Sequence, residues 1–548
     1  MKIVIADKVS PSALKVFGEH PDWKVVSPDK EHLSGELADA DAIVVRSATF
    51  VDAAMMDRAP KLRVIGRAGV GVDNVDLDAA TKRGIVVMNT PGGNAVAVAE
   101  HTFALMLSMA RFIPRAHSTM AAGKWEKKTL QGTELRGKTL GIVGLGRVGV
   151  EVLRRAQAFG MKVVAHDPYV APSLAQQLNV TMVPLDELYA QSDYITLHVG
   201  LTPQTNGMIN GDAIKKMKKG VKLVNCARGE LLNEAAVVEA LQSGQLGGAA
   251  LDVYSQEPLK DSPLTTLPNV ILTPHIAGST NEAQEAVGVQ IALQVREYLT
   301  KGVIQNAVNV PSISEEEYQQ MLPYIALGER LGTFLAQSCE GGVEEIALSY
   351  TGEIAEWKTA LIRNAAVAGA LNQLAHAHER ANLVNAASAA EERGIRVTER
   401  KQKRDGGAAA NILRMSFKAG QQENTVAGCV QPDGQPRLLE IDGIHVEAPL
   451  EGNVVYLRNL DVPGVIGRVG TVLGQHSVNI ANFSLGRVQG APGAGAAALG
   501  SESKAVAVVQ VDGDIPEKAL DALRGIETVL LAKAIRFVNP HAKQAVTA

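Results

Sequence analysis

The first ninety or so residues alternate short apolar runs with amphipathic stretches. The runs "KIVIA" (residues 2–6) and "DAIVVRS" (41–47) are rich in β-branched residues and are separated by a helical pattern. "LRVIGRAGVGVDNVD" (62–76) continues the alternation. Such a rhythm is typical of parallel strands joined by crossover helices. The pattern therefore predicts an α/β unit over residues 1–93.

A second α/β unit is expected to begin near Asn94. "AVAVAEHTFALMLSMARFIPRA" (95–116) predicts one long, mostly buried helix. Six strand-like runs follow it: "TLGIVGLG" (139–146), "KVVAHD" (162–167), "YITLHV" (194–199), "VKLVNCA" (221–227), "GAALDVY" (248–254) and "VILTPH" (270–275). The helical pattern over 281–302 should return the chain to the first unit. Residues 94–280 would then be inserted in a unit formed by 1–93 and 281–306.

The pattern changes again after residue 307. An amphipathic helix is predicted over 315–337 and an Ala-rich helical span over 358–392. From 453 to 538 the order is strand, helix, strand, strand, helix, strand, and "GAPGAGAAALGSES" (490–503) is predicted to form a flexible hairpin loop. The fold class is therefore α/β, with two doubly wound parallel-sheet units followed by an α+β unit (307–448) and a ferredoxin-like unit (449–548).

Composition excludes several classes of partner. The 548 residues carry 54 Lys and Arg against 58 Asp and Glu, a net charge of −4, which gives no global attraction to nucleic acid or anionic membrane. The three cysteines are far apart and form no C-x-x-C pair, as expected in a reducing compartment. No apolar run approaches the roughly 18 residues of a membrane helix, and the apolar run at the N-terminus is too short for a signal peptide. We expect a cytoplasmic protein.

A glycine-rich turn predicts a dinucleotide site. Gly144, Gly146 and Gly149 have the spacing G-x-G-x-x-G directly after an apolar run and before a helical one. Asp167 ends the next run, 18 residues beyond Gly149, where a carboxylate binds the ribose hydroxyls of NAD. No arginine follows Asp167 to receive a 2′-phosphate, so NAD is favoured over NADP. The alternative is a tight turn with an incidental surface aspartate.

Three polar residues near the ends of later strands predict the chemistry. Arg228 can grip a carboxylate at two points, and His275 can exchange a hydroxyl proton while Glu257 fixes its tautomer. Taken one by one, Arg228 could cap a helix, Glu257 could be a solvated acid and His275 a core histidine. The dinucleotide turn on the same unit favours catalysis for the set. Asp252 either binds the nicotinamide amide, the favoured interpretation, or only ends its strand.

These segments carry a family resemblance. "GLGRVG", "HDPY", "NCARGELLNE", "ALDVYSQEP" and "PHIAGST", in this order, resemble the D-isomer-specific 2-hydroxyacid dehydrogenases. "VRSAT", "GRAGVGVDNVD" and "NTPGGNAVAVAEHTFALML" are similar to the 3-phosphoglycerate-oxidising branch of that family in its long form, and the likeness covers the first 305 residues. It implies that Arg228 binds the substrate carboxylate, that His275 is the acid/base and that Glu257 is its partner. No metal is implied.

The resemblance also implies the contacts of cofactor and substrate. The NAD-binding residues would be Gly144, Gly146, Arg147, Val148, Gly149, Asp167, Val199, Cys226, Ala227, Arg228, Asp252, His275, Ala277 and Gly278. The substrate would contact Arg46, Gly69, Val70 and Arg228. Arg46, at the end of its strand, would face the substrate carboxylate or phosphate, although a surface ion pair would also explain it.

The C-terminal hundred residues resemble an ACT regulatory unit, and 307–448 resembles the intervening, allosteric substrate-binding unit of the long form. The resemblance implies that L-serine binds at an interface between two ACT units, with Asp461 facing its ammonium and Asn479 its carboxylate; ordinary turn chemistry would also explain both residues. It implies a homo-oligomer, a tetramer.

The resulting hypothesis is NAD-dependent oxidation of 3-phosphoglycerate to 3-phosphohydroxypyruvate, the first step of L-serine biosynthesis, with feedback inhibition by L-serine. One alternative is reduction of another 2-oxo acid, hydroxypyruvate or 2-oxoglutarate, on the same machinery. A protein that senses NAD without catalysis is the rival from another class, and the presence of Arg228, Glu257 and His275 argues against it.

Overall fold

The computed structural model describes residues 1–310, 315–339, 342–374, 381–402, 411–420, 422–488 and 504–537. The hairpin loop expected at residues 490–503 lies outside these ranges, as do residues 375–380 of the expected Ala-rich helical span. Four sheets organise the described residues.

The first sheet has five parallel strands in the order β2-β1-β3-β4-β5. Its elements are β1 (Lys2–Ile5), α1 (Pro11–Gly18), β2 (Lys24–Val26), β3 (Ala42–Val45), α2 (Ala53–Asp57), β4 (Val64–Arg67), α3 (Leu77–Lys82) and β5 (Val86–Met88). Every residue of β1 and β3 is buried, as expected for strands that are covered on both faces. The strand order is that of flavodoxin-like sheets.

The long helix expected after residue 94 is two helices, so this prediction was wrong. α4 (Ala95–Arg111) is largely buried, but α5 (Ile113–Ala121) has no buried residue. Phe112 lies between them in the left-handed conformation, with φ 53°, and Pro114 stands in the first turn of α5. Among the described residues no single helix is long and apolar enough to cross a membrane; α4 and α5 reach that length only together, across a bend of 63°.

The second sheet has seven parallel strands in the order β12-β11-β10-β9-β6-β7-β8. Its elements are β6 (Thr139–Val143), α6 (Arg147–Ala158), β7 (Lys162–His166), α7 (Pro172–Gln177), β8 (Thr181–Met182), α8 (Leu185–Gln191), β9 (Tyr194–Leu197), α9 (Gly211–Lys215), β10 (Val221–Asn225), α10 (Glu234–Ser243), β11 (Leu246–Leu251) and β12 (Val270–Leu272). The direction of the strand order reverses beside β6, which is the dinucleotide-binding point of the Rossmann fold.

The chain then returns to the first sheet, as the pattern predicted. α11 (Asn281–Lys301) packs on α1, β4 and β5 through buried residues that include Ile291 and Val295. Beyond it, α12 (Glu315–Ser338) contains Pro323 and packs closely along α13 (Ala360–Leu374), and α14 (Ala386–Glu392) follows. These helices cover a six-stranded mixed sheet, ordered β14-β13-β15-β16-β17-β18. Its strands are β13 (Glu345–Thr351), β14 (Arg396–Gln402), β15 (Ile412–Ala419), β16 (Gln422–Val430), β17 (Pro436–Ile441) and β18 (Ile444–Pro449).

The last sheet has the predicted order of strand, helix, strand, strand, helix, strand. Its elements are β19 (Asn453–Leu460), α15 (Val465–Gln475), β20 (Asn479–Arg487), β21 (Lys504–Asp512), α16 (Glu517–Arg524) and β22 (Val529–Arg536). The strands are antiparallel in the order β20-β21-β19-β22. One face packs on α12, where the ring of Tyr456 meets that of Phe334 with centroids 5.4 Å apart. One continuous apolar cluster therefore joins the first, third and fourth sheets.

Candidate active site

A cavity of about 720 Å³ lies between the first and second sheets, where strands of both end. It brings together many of the residues predicted for cofactor and substrate. They are Arg46, Gly69, Val70, Cys226, Arg228, Glu257, His275, Ala277 and Gly278. Both sheets are parallel, so their carboxyl ends form one cleft.

His275 and Glu257 form a hydrogen-bonded pair in this cavity. The Nδ1 atom of His275 lies 2.7 Å from Oε2 of Glu257, and Oε1 of Glu257 accepts a hydrogen bond from the backbone N–H of Tyr254 at 3.0 Å. An ionised carboxylate can only accept, so in the neutral imidazole the hydrogen is on Nδ1 and Nε2 keeps its lone pair. The imidazole is 52% exposed, which leaves Nε2 accessible to a ligand in the cleft.

The backbone at His275 is strained, and Asp252 holds it. His275 has a φ of 53°, in the left-handed region that non-glycine residues rarely adopt. The carboxylate of Asp252 accepts hydrogen bonds from Thr273 Oγ1 at 2.6 Å and from the backbone N–H groups of Ile276 and Ala277 at 2.9 and 2.8 Å. These bonds grip the chain on both sides of the histidine, so Asp252 sets its position.

Asp252 is completely buried, with 0% of its surface exposed. Burial disfavours its ionised form, but hydrogen bonds from His101, Thr273, Ile276 and Ala277 outweigh burial and lower the pKa of its carboxyl group. Because its partners lie within the protein, the direct contact of Asp252 with nicotinamide stays a prediction. His101, on α4, carried no signal in the sequence that connected it to this network.

Arg228 follows β10 of the second sheet, and its guanidinium reaches the first unit. Its Nη2 atom is 3.0 Å from Oδ2 of Asp73, and Nη1 donates to the carbonyl of its neighbour Ala227 at 2.7 Å. The side chain of Asn225 donates to the Arg228 carbonyl at 2.7 Å and fixes the backbone. Among the described residues these two contacts leave three of the five guanidinium hydrogens for a ligand, enough to bind a carboxylate at two points.

Arg67 is a site residue that sequence reasoning missed. It ends β4 beside β3, lines the cavity, and its buried Nε–H has no hydrogen-bond partner among the residues that the structure describes. Burial lowers its pKa, and the positive charge of Arg228 lowers it further. Gly69, with φ 149°, lets the Arg67 guanidinium pass where a side chain would stand. The position of Arg67 at the end of a parallel strand is a signal present in the sequence, the same one that points to Arg46.

Arg46 stands on a braced turn after β3. Asp7 accepts hydrogen bonds from the backbone N–H of Arg46 at 2.7 Å and from the Thr49 hydroxyl at 2.7 Å, and the Asn74 side chain donates to the Arg46 carbonyl at 2.7 Å. These groups fix the backbone from which the guanidinium projects. No carboxylate among the described residues forms a salt bridge with the Arg46 guanidinium, which disfavours the surface ion pair; its contact with substrate stays a prediction.

The glycine-rich turn has the geometry of a pyrophosphate cradle. A β-carbon on Gly144 (φ 93°) would meet the carbonyl oxygen of His198 at 2.5 Å, and one on Gly149 would meet that of Gly144 at 2.1 Å. A β-carbon on Gly146 would have no atom within 4 Å, so the space beside this glycine is open. α6 begins at Arg147 without a side-chain cap and without an acid in its first turn, so its free N–H groups face that space. These residues fit a dinucleotide.

Asp167 lies at the rim of this turn. One of its oxygens accepts from the backbone N–H of Leu145 and the other from that of Tyr169, both at 2.9 Å. Each oxygen keeps an acceptor position for a ribose hydroxyl. Val199 packs against Gly144, and Arg147 donates to the carbonyl of Pro91 in the first unit. Cys226 is buried, which raises the pKa of its thiol to about 12, so it contributes no reactive thiolate.

The two residues predicted for serine do not meet within one chain. Asp461 lies 3.3 Å from Arg487, at the end of β20 that pairs with Ala505. Asn479 is at the other end of β20, where it donates to Asp512 at 2.6 Å. The length of this strand separates them by roughly 25 Å. A site that uses both residues therefore needs two chains.

Comparison with known proteins adds evidence along the whole chain. The D-isomer specific 2-hydroxyacid dehydrogenase NAD binding domain matches residues 103–277, and the D-3-phosphoglycerate dehydrogenase intervening domain matches residues 320–442. The D-3-phosphoglycerate dehydrogenase of Methanocaldococcus jannaschii is 40% identical over 98% of this chain and 100% of that protein. That of Bacillus subtilis is 36% identical, over 97% of this chain and 99% of that protein.

A solved structure gives a similar result for the first half of the chain. The NAD-dependent formate dehydrogenase from Staphylococcus aureus, in complex with NAD, is 32% identical and superposes with a TM-score of 0.51. The match covers 57% of this chain and 100% of that one. The NAD cleft of the first two sheets is thus shared with an enzyme that holds this cofactor.

Proposed function

This chain belongs to the D-3-phosphoglycerate dehydrogenase family, and on that premise we propose that Arg228, Glu257 and His275 perform the family's reaction. The protein is an NAD-dependent oxidoreductase that oxidises 3-phosphoglycerate to 3-phosphohydroxypyruvate, the first step of L-serine biosynthesis. The observation that carries the assignment of residues is the His275–Glu257 pair, 2.7 Å long, which shares one cavity with Arg228.

NAD, when bound, accepts the hydride that leaves carbon 2 of the substrate. The remaining work falls to the chain. Arg228 binds the substrate carboxylate at two points and so sets carbon 2 against the cofactor. Nε2 of His275 takes the proton of the carbon 2 hydroxyl, and Glu257 stabilises the imidazolium through Nδ1. Asp252 keeps the strained His275 turn in place for this transfer.

The substrate carries a second negative group, its phosphate. Arg46 and Arg67 line the same cavity as Arg228, on the side of the first sheet. Arg67 has a buried N–H that no described residue accepts from, and a phosphate oxygen would satisfy it. We therefore propose that these two arginines face the phosphate, with Gly69 and Val70 adding backbone N–H groups.

The activity is tested by following NADH formation with a panel of 2-hydroxy acids. We expect 3-phosphoglycerate to be oxidised with kcat/KM at least about 100-fold above glycerate, 2-hydroxyglutarate and lactate. Glycerate and lactate have a single charged group, and 2-hydroxyglutarate has a planar carboxylate where 3-phosphoglycerate has its phosphate. L-Serine, added at saturating substrate, should lower the rate. Turnover confined to another hydroxy acid would reject the substrate, while serine insensitivity would reject only the effector.

Asp167 should control the choice of cofactor. We expect Asp167→Ala to raise KM for NAD by about 10-fold or more through loss of hydrogen bonds to the ribose, and to change KM for NADP far less. Initial rates with each cofactor measure this. Asp212→Ala, on the exposed start of α9, is the matched control and should change neither value. Equal loss with both cofactors would contradict the role, because it would indicate damage to the turn at Leu145.

We propose four units with the boundaries predicted from the sequence: 1–93 with 281–306 for substrate, 94–280 for NAD, 307–448 as the intervening unit and 449–548 as the ACT unit. The four sheets and the return of α11 support this division. For the ACT unit we propose L-serine as effector, bound between two chains with Asp461 from one and Asn479 from the other. Their separation within one chain supports an oligomer, and we propose a tetramer in the cytoplasm.

A further inference from the structure

A second cavity, of about 390 Å³, adjoins the first. It lies between the N-terminal ends of α1 and α11, and its walls include Lys8, Ser10, Asn281 and Glu285. Three residues line both cavities: Arg46, Ala68 and Gln284. The two cavities therefore adjoin at these residues, and a ligand that extends from His275 to Arg46 ends beside the second cavity.

The second cavity is positively charged. Arg46 donates from Nη1 to the backbone carbonyl of Lys8 at 3.4 Å, so the guanidinium lies against the Lys8 main chain. Within the described part of the chain, neither the Lys8 ammonium nor the Arg46 guanidinium has a carboxylate partner. Glu285 is the one acid among the lining residues, and its side chain is exposed. Two cations against one acid leave an excess of one positive charge for an anion.

The cations follow one another from one cavity to the other. Arg228 and Arg46 both lie close enough to Arg67 for their charges to act on it, and Arg46 is next to Lys8. His275 and Arg228 line the first cavity and not the second, whereas Lys8 lines the second and not the first. A substrate whose carboxylate is on Arg228 and whose hydroxyl is on His275 extends its other end along this row.

We propose that Lys8 adds its ammonium, from the second cavity, to Arg46 and Arg67 at the phosphate group of the substrate, and so determines the preference for a phosphorylated hydroxy acid. The inference rests on the proposed function and adds a residue to it. The ammonium is a flexible point charge, suited to a phosphate that arrives and leaves with each turnover.

The test compares phosphorylated with unphosphorylated substrates in the reductive direction. Lys8→Met should lower kcat/KM for 3-phosphohydroxypyruvate by about 10- to 100-fold, mainly through KM, because one charged hydrogen bond to the phosphate is lost. The value for hydroxypyruvate should stay within about twofold of the unmodified protein, since that substrate has no group to place against Lys8. Glu285→Gln, which removes the opposing charge, should lower KM for the phosphorylated substrate.

Lys15→Met is the matched control, because Lys15 is exposed on α1 but lines neither cavity. Inhibition by substrate analogues compares phosphorylated with unphosphorylated ligands without requiring the protein to reduce hydroxypyruvate. Lys8→Met should weaken inhibition by glycerol 3-phosphate, which carries only the phosphate end, and leave inhibition by glycerate unchanged. An unaltered KM for the phosphorylated substrate would overturn the proposal, and so would equal losses with both substrates. Failure of the unmodified protein to use either phosphorylated compound would instead overturn the proposed function.

Discussion

Replacing His275 with asparagine is expected to lower kcat for 3-phosphoglycerate oxidation by about 10²- to 10⁴-fold, the usual contribution of a positioned general base. Asparagine can still donate a hydrogen bond toward Glu257 and fits the space of the imidazole, but its amide cannot take a proton near neutral pH. The affinity for NAD should change little, because the glycine-rich turn and Asp167 are untouched. Steady-state rates and a direct NAD titration measure the two quantities.

The chain offers a close control for this variant. His32 lies 2.7 Å from Asp29, the same pairing at the same length as His275 with Glu257, but on the exposed surface outside both cavities. His32→Asn should leave kcat unchanged. If His275→Asn kept its rate, or lost it only in proportion to NAD affinity, the histidine would not be the proton acceptor.

The second large effect is expected at Arg228. Arg228→Lys keeps one positive charge but loses the planar pair of donors, so kcat/KM for 3-phosphoglycerate should fall by about 100- to 1,000-fold, mainly through KM. The ion pair with Asp73 should also weaken. Arg154→Lys is the control, because Arg154 is an exposed arginine that pairs with Glu151 on α6. An unchanged KM in Arg228→Lys would place the substrate carboxylate elsewhere.

Much of the fold follows from local pattern. Buried parallel strands appear in the sequence as continuous β-branched runs, and the observed strands begin and end close to the runs that predicted them. The break at Phe112 does not follow from the apolar pattern, because nothing in that pattern indicates a left-handed residue. Pro114 is the signal for it in the sequence, since a proline is tolerated in the first turn of a helix and not inside one. Periodicity reports which face is buried; it does not report a bend.

The site was partly predictable for a similar reason. Residues that end parallel strands meet at one edge, so Arg228 and His275 could be expected together with Arg46. Contacts between distant segments could not be inferred in this way. His101 contacts Thr273 across 172 positions, and the Arg46 guanidinium donates to the Lys8 carbonyl across 38. Asp461 and Asn479 are 18 residues apart in the chain, yet strand direction places them at opposite ends of a sheet.

The most direct measurement is a single turnover with NAD-loaded protein in excess over 3-phosphoglycerate, in which NADH formation reports the hydride step before product release. We predict rapid NADH formation by the unmodified protein and a rate about 100-fold or more slower in His275→Asn. Equal rates in the two proteins would contradict the assignment of His275 as the group that accepts the substrate's hydroxyl proton.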